Sequence, residues 1–558
     1  MRKYKIFFLF SFFFFLFSFL FSLAYANNIS VTNVSITAQS TANQTANVQF
    51  DITWANSWCN AINWDAAWVF VKYSTDSGTT WAHATLKASG GTPTSSGNGI
   101  INPTGFSQGA GTGLNIIVPT EATSGKKGAF LQRSANGVGT VTTTGVQLVW
   151  DWSQAKLSSD GVTPVTATTA ARVKVFAIEM VYIPQGAFSA GDNATSVGSF
   201  KAGPSNPGPW NIQNANAISV TNNGSYGFYY VSAGNSGESA TGSAFTINTT
   251  FPSGYNAFYC MKYDISQGQY RNFLNTLTRT QQATRISVNI SGTSVTNCFM
   301  DDNVTSGGTH SSPLNRNGIR CATTIPASPT PVTFGCDLNN NGTFNEASDG
   351  EWIACNHLSW MDLAAYVAWA GLRPMTELEF EKACRGPNTP VSGEYAWGTT
   401  DLIQVTTANI TNSGYNSEGT SQTGNGLCVE NSGTSGPLRC GFSATSSTTR
   451  LGASSSYYGV MDLSGGLWKR PVTVGNSTGL GFSGTNGTGV LSTNGNATNS
   501  DWPGCTSGEV TGATGAGFRG GSWNVVATDA RASDRSSAAY TSAARDSGYG
   551  GRCVRTSP

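Results

Sequence analysis

The stretch from Asn356 to Gly386, NHLSWMDLAAYVAWAGLRPMTELEFEKACRG, constrains the fold more than any other part of the chain. Ser359 and Asp362 form a capping-box pattern, and apolar side chains then recur at helical spacing. A second capping box, Thr376 with Glu379, follows a break that contains a proline. The pattern predicts two short capped helices joined by a tight corner. By residue type alone, it is typical of a buried helical pair without chemistry.

Further motifs place this stretch in a family context. SWMDLAAYVAWAGLRPMTELEFEKACRG resembles the central motif of the formylglycine-generating enzyme (sulfatase-modifying factor) family, whose domain is similar to an elaborated C-type lectin fold. Other segments follow in the family's order: MVYIPQGAFSAGD, YCMKYDISQGQYRNFLNTL, YAWG, ANI, YGVMDLSGGLW, FRGGSW and GGRCVR. The resemblance covers residues 175–558 and implies a domain of this kind there.

The chain begins with an export signal. Basic side chains lie within residues 2–5, residues 6–23 are apolar, and an Ala-Tyr-Ala cleavage pattern ends at Ala26. We therefore expect a signal peptide over residues 1–26, cleaved near Ala26, and a secreted or cell-surface protein without a transmembrane segment in its mature form. A membrane anchor is the alternative, because the apolar run approaches spanning length.

Residues 27–172 alternate short strand-like runs with turns of Gly, Ser, Thr and Asn. This pattern predicts an antiparallel β-sandwich that resembles an immunoglobulin-like or fibronectin-like module. With a loop-rich family-like domain at 175–558, the expected fold class is α+β.

Charge and cysteine content narrow the functions. Charged residues make up 11% of the chain and the formal net charge is +1, so no electrostatic surface for nucleic acid is expected. Low charge also favours self-association, because little repulsion opposes contact. Eleven cysteines in an exported chain predict disulfides, and Cys428 and Cys440, which bracket a Gly/Ser loop, are expected to pair locally.

One loop, CDLNNNGTFNEASDGEW, carries a calcium-like pattern. Oxygen-bearing side chains alternate around a glycine turn, as in the first half of an EF-hand loop. The candidate ligands are Asp337, Asn339, Asn341, Glu346 and Asp349. No Glu occupies the twelfth position, and the alternative is an Asn/Gly turn held by its own side-chain hydrogen bonds.

The family resemblance also implies metal sites that can be checked in this sequence. The family's enzymes bind copper through two cysteines after the GGS motif, and the matching positions hold Val525 and Ala530. Neither side chain forms a thiolate, so we expect no copper centre and no formylglycine-generating activity. A family calcium site is replaced by a sequence containing Lys469, whose positive charge excludes the cation. A second family calcium site, at Asn409 and Ile410, is kept.

Segment 524–550, between RGGSW and GGRCVR, is placed by the resemblance over the former active-site face. It offers amphipathic tyrosines and charged groups suited to recognition of a protein or glycan. The candidate ligand contacts are Asp529, Asp534, Arg535, Tyr540, Arg545 and Tyr549. The segment also resembles variable regions of lectin-like display proteins that retroelements diversify; the alternative is an ordinary polar loop.

Three functions follow from these observations. The first is a secreted, catalytically silent module that binds an extracellular ligand or is displayed at the cell surface. The second is a structural subunit of an extracellular fibre, sheath or layer. The third is a copper-dependent oxidase or another enzyme on the same fold, since fold alone does not determine function.

Overall fold

The computed structural model describes residues 28–87, 102–121, 125–220, 227–235, 237–238, 242–300 and 311–558. The predicted signal peptide lies outside these residues. Within them, no helix has both the length and the apolar character needed to span a membrane. The described chain is mixed α and β, dominated by strands with a few short helices.

Strands outnumber helices along the described chain, and most of the strands are short. In chain order the strands are β1 (Ser30–Ser40), β2 (Thr45–Cys59), β3 (Asp65–Ser74), β4 (Ala82–His83), β5 (Thr85–Leu86), β6 (Ala110–Gly111), β7 (Leu114–Ile117), β8 (Ala129–Arg133), β9 (Gly137–Asp151), β10 (Arg172–Ile183), β11 (Phe188–Ala190), β12 (Trp210–Ile212), β13 (Ile218–Val220), β14 (Phe245–Ile247), β15 (Phe258–Met261), β16 (Ile319–Cys321), β17 (Phe334–Cys336), β18 (Arg373–Pro374), β19 (Ile403–Gln404), β20 (Ile410–Thr411), β21 (Gly419–Thr420), β22 (Leu427–Cys428), β23 (Cys505–Thr506), β24 (Glu509–Val510) and β25 (Cys553–Thr556). The helices are α1 (Gln267–Leu274), α2 (Arg279–Arg285), α3 (Trp360–Trp369), α4 (Glu377–Arg385) and α5 (Ser477–Leu480).

Two large antiparallel sheets organise the chain. One has the order β1-β2-β9-β5, with β6 beside β9. The other has the order β18-β25-β15-β10-β3-β8-β7, with β4 beside β3. Side chains of β2 alternate between buried and partly exposed, and its buried face shares one hydrophobic cluster with β3, β7 and β8. The two sheets therefore pack against each other in the first third of the chain.

Strand β10 links the first third of the chain to the rest. On one edge it pairs with β3, from Arg172 opposite Ser74 to Val181 opposite Asp65. On the other edge its last residues pair with β15. One sheet therefore continues across the predicted division between residues 172 and 175, and that division itself stays a prediction.

The two helices predicted from the central stretch are confirmed as α3 and α4. Ser359 and Thr376 are their N-caps, and both capping boxes are complete. Nearly every residue of both helices is buried, so the pair forms part of the core. The last carbonyls of a helix lack intrahelical partners. In α3 these groups accept hydrogen bonds from β3: Lys72 Nζ donates to Trp369 O and Trp68 Nε1 to Ala370 O, each at 2.8 Å.

Candidate ligand-binding face

The acidic residues of the central motif lie in buried ion pairs. Glu377 accepts from Arg519 Nη1 at 3.0 Å and from Arg535 Nε at 2.8 Å. Glu381 lies 2.7 Å from Arg519 Nη2, and Glu379 pairs with Arg373. Breaking such a pair leaves an uncompensated buried charge. These carboxylates therefore hold α4 against the loops that follow it and are not available for chemistry.

The two positions at which the family resemblance predicts copper-binding cysteines hold Val525 and Ala530, whose side chains offer no metal ligand. Val525 is partly exposed, and its carbonyl accepts from Asn431 N at 2.7 Å. Ala530 is buried in a cluster with Tyr395 and Cys428. Burial raises the pKa of the Cys428 thiol to about 12, so this sulfur stays protonated at neutral pH. The residues present here do not fit a copper-thiolate centre.

Lys469, at the lost family calcium site, is fully buried. Its Nζ donates to Gly465 O at 2.7 Å and lies 3.5 Å from Asp264 Oδ2. Calcium binds carbonyl and carboxylate oxygens. The Lys469 ammonium group contacts one oxygen of each kind, as a bound cation would.

The second family calcium site remains a prediction. Asn409 is partly exposed, and its Oδ1 accepts from Thr406 Oγ1 at 2.5 Å. Ile410 begins β20 and pairs with Thr420. No group of three or more His, Cys, Asp or Glu side chains arranged to hold a metal occurs in the described part of the chain. A calcium site here would depend on amide or backbone oxygens.

The loop with the calcium-like pattern lies between β17 and α3. Asp337 and Asp349 are buried, whereas Asn339, Asn341 and Glu346 are exposed. The two acids at the ends of the pattern therefore anchor a turn whose middle faces solvent.

The cysteines predicted to pair are both buried. Cys428 Sγ faces Ser464 O at 3.8 Å, and Cys440 Sγ faces Asp264 O at 3.3 Å. All eleven cysteines are among the described residues, and all are free thiols in this structure. The pairing of Cys428 with Cys440 stays a prediction.

Two of the six predicted ligand contacts lie in the interior. Arg535 is 0% exposed and bonds Glu377, Gly198 O and Val231 O. Asp534 is 2% exposed and accepts from Ser536. Asp529 is partly exposed, and burial together with the Asp534 charge raises its pKa. The prediction that Arg535 and Asp534 contact a ligand at the surface is therefore wrong, because both side chains are buried.

The tyrosines of the segment belong to an aromatic stack. The ring of Phe518 lies 4.5 Å from that of Tyr549 and 5.9 Å from that of Tyr540, and Tyr540 is 41% exposed. The Arg470 guanidinium lies 4.3 Å from the Phe518 ring centre, and its Nη2 donates to Ser542 O at 2.6 Å. Sequence reasoning missed Arg470 and Phe518, because the stack joins residues that are far apart in the chain.

A cleft of about 460 Å³ opens between α2, the start of α3 and residues 543–545, which follow Ser542, the backbone partner of Arg470. Arg545 donates from Nε and Nη2 to Asp362 at 2.7 and 2.9 Å. Arg285 Nη1 lies 3.2 Å from Asp362 Oδ1, and its Nη2 donates to Asn496 at 2.7 Å. Two guanidinium groups face the Asp362 carboxylate, and Glu509, which accepts from Asn496 Nδ2 at 2.6 Å, adds a second carboxylate near Arg285. We call Tyr540, Tyr549, Phe518 and Arg470, with this cleft, the stack-and-cleft face.

The fold defines an α+β protein in which capped helices and buried arginine–carboxylate pairs support the loops that follow them. Residues 166–557 match the Sulfatase-modifying factor enzyme 1-like domain, and the chain belongs to this family. A short stretch is also similar to the hercynine oxygenase of Mycobacterium tuberculosis (strain ATCC 25618 / H37Rv), with 50% identity over 44 residues. The match spans 8% of this chain and 10% of that protein.

Proposed function

We propose that this family member is exported, catalytically silent and binds a protein or glycan ligand through the stack-and-cleft face. In this proposal the first third of the chain is an immunoglobulin-like sandwich, and the family domain has a C-type lectin-like fold. The observation that carries the proposal is the exposed Tyr540, whose ring packs on the Phe518 ring that Tyr549 also contacts.

The chemistry of the face favours an acidic ligand. Tyrosine rings supply rigid amphipathic contact area at low entropic cost. Arg285 and Arg545 line the cleft, so a carboxylate or sulfate group gains a charge-assisted contact there. We therefore infer an acidic glycan or an acidic protein segment as the ligand class.

Binding to an array of acidic and neutral glycans tests this function. We expect Tyr540→Ala to weaken binding of acidic glycans at least about tenfold, as for an aromatic residue that dominates an interface. Tyr415, which is 44% exposed on a distant loop, provides the matched control: Tyr415→Ala should bind like the unchanged chain. Arg545 is a poor test residue, because its removal also uncovers the buried carboxylate of Asp362.

Two outcomes contradict the proposal. One is Tyr540→Ala binding with unchanged affinity while Tyr415→Ala binding weakens. The other is the absence of binding to any acidic glycan or acidic peptide at concentrations up to about 1 mM, the weak end of specific recognition.

A further inference from the structure

The loop between β17 and α3 is folded around the carboxylate of Asp337. Asp337 Oδ1 accepts from Asn341 N at 3.0 Å, and its Oδ2 accepts from Gly342 N at 3.1 Å. Gly342 has a φ of 85°, which a residue with a side chain rarely adopts. This turn brings the side chains of Asn339, Asn341 and Glu346 together on the exposed side of the loop.

Two amides converge on one carboxylate oxygen. Asn341 Nδ2 donates to Glu346 Oε2 at 2.5 Å, and Asn339 Nδ2 donates to the same oxygen at 3.3 Å. Asn339 Nδ2 also lies 3.1 Å from Ser348 Oγ. The Oδ1 atoms of both amides are fixed by the backbone: that of Asn339 accepts from Asn341 N at 3.0 Å, and that of Asn341 accepts from Thr343 N at 2.8 Å. An amide oxygen has two lone pairs, so each Oδ1 keeps one lone pair for a further ligand.

One carboxylate oxygen of Asp349, whose other oxygen bonds the backbone of Glu346, has no hydrogen-bond donor among the described residues. Asp349 is 0% exposed, and its Oδ2 accepts from Glu346 N at 2.8 Å. Its Oδ1 accepts no hydrogen bond from any described residue. A buried charged oxygen left unpaired is costly, and such an oxygen in a native protein calls for a ligand or ion.

The local charges leave room for a divalent cation. Four carboxylates surround the loop: Asp337, Glu346, Asp349 and Glu351. Arg320 pairs with Asp337 at 2.9 Å, and Arg271 pairs with Glu351. Among the described residues, Glu346 and Asp349 have no cationic partner, so two negative charges stay uncompensated.

We propose that this loop binds one calcium ion. Glu346 and Asp349 supply the charge, and Asn339 and Asn341 supply amide oxygens through the lone pairs that their backbone hydrogen bonds leave free. Calcium accepts six to eight oxygen ligands in flexible geometry, including amide oxygens, whereas magnesium requires strict octahedral geometry. The exposed, amide-rich loop therefore fits calcium better than magnesium.

The test compares the melting temperature of the mature chain in calcium, in magnesium and in a chelator. A cation that binds the native state alone raises the melting temperature by mass action. We expect calcium to raise it by about 2 °C or more over the chelator, and magnesium to raise it less. Calorimetric titration with calcium should show one site per chain.

Three variants locate the site. Asp349→Asn and Glu346→Gln keep a hydrogen-bond acceptor but remove a charge, and each should weaken calcium binding at least about tenfold. In chelator, Asp349→Asn should melt no lower than the unchanged chain, because it loses an uncompensated buried charge; a purely structural role predicts a lower value. Asn494→Ala, at an exposed turn elsewhere, is the control and should keep the full calcium shift. Equal melting temperatures in calcium and chelator would overturn the proposal, as would a full calcium shift in Asp349→Asn.

Discussion

Single residues decide whether the family's oxidative chemistry is available to this chain. The family resemblance predicts copper cysteines at the positions that hold Val525 and Ala530, and burial raises the pKa of Cys428, the thiol clustered with Ala530, to about 12. We expect no turnover of a cysteine-containing sulfatase peptide and no competition with a copper(I) chelator. Turnover by the pure chain, abolished by Cys428→Ser, would show that this thiol reacts.

The sequence predicts which residues lie together where the partners are close in the chain. Asp337 and Asp349 were placed in one loop, because a spacing of alternating oxygen side chains around a glycine is visible in a short window. Arg535 was misplaced on the ligand face, because its partner Glu377 lies 158 residues away and no local pattern reveals it. A buried arginine and an exposed arginine look the same in sequence.

At the scale of elements, helix α3 also depends on partners that are distant in the chain and leave no local pattern. Its start was predicted from the capping box, which is a local pattern. The donors that cap its end are not visible in a local pattern, because Lys72 and Trp68, which donate to Trp369 O and Ala370 O, lie about 300 residues earlier. Cations and N–H donors at a helix C-terminus stabilise it through the helix dipole. Strand β3 therefore completes the central helix of the family domain.

This junction should be sensitive to acid through His83. Lys72 Nζ lies 2.8 Å from His83 Nδ1, and His83 Nε2 lies 2.5 Å from Lys127 O, so the neutral ring accepts from Lys72 and donates to the carbonyl. Burial, then the charges of Lys72 and Lys127, lower the pKa of His83 well below 6.5. The unfolded chain takes up this proton near pH 6.5 and the folded chain does not. The free energy of unfolding should therefore fall as pH drops below 6.5, by up to about 1.4 kcal/mol per pH unit.

Denaturant unfolding of the unchanged chain and of His83→Gln, from pH 7.5 to 5, measures this effect. The difference between the two is needed, because burial raises the pKa of Glu179 to about 7 and gives stability that is lost as pH rises, the opposite sign. The His83→Gln chain should lose less stability than the unchanged chain on acidification. Parallel pH profiles for the two chains would contradict the role assigned to His83.

At the scale of the whole molecule, the first third of the chain and the family domain share structure that neither sequence pattern showed. The strand pattern predicted β2, β3 and β9, and the family motifs predicted the later helices, but nothing local showed that β10 joins β3 to β15. Lys262 of the family domain also lies 3.1 Å from Asp65 and 3.2 Å from Glu179 in that sheet. The family domain is therefore built partly on the preceding strands.

This sharing predicts the behaviour of a chain that begins at residue 166, where the family match starts. Without β3, the edge of β10 from Arg172 to Val181 loses its hydrogen-bonding partner, and the end of α3 loses the donors Lys72 and Trp68. Unpaired buried backbone groups each cost about 1–3 kcal/mol, which adds up to a large share of the 5–15 kcal/mol that stabilises a typical domain. We expect chain 166–558 to melt at least about 10 °C below chain 27–558, or to be insoluble. Lys72→Met, which removes one donor to the end of α3 within the full chain, should lower the melting temperature by a smaller amount.

One result would contradict this dependence. If chain 166–558 and chain 27–558 melt at the same temperature, and protease cleaves the full chain within residues 165–180 without lowering its melting temperature, the division near residue 172 separates independent folding units.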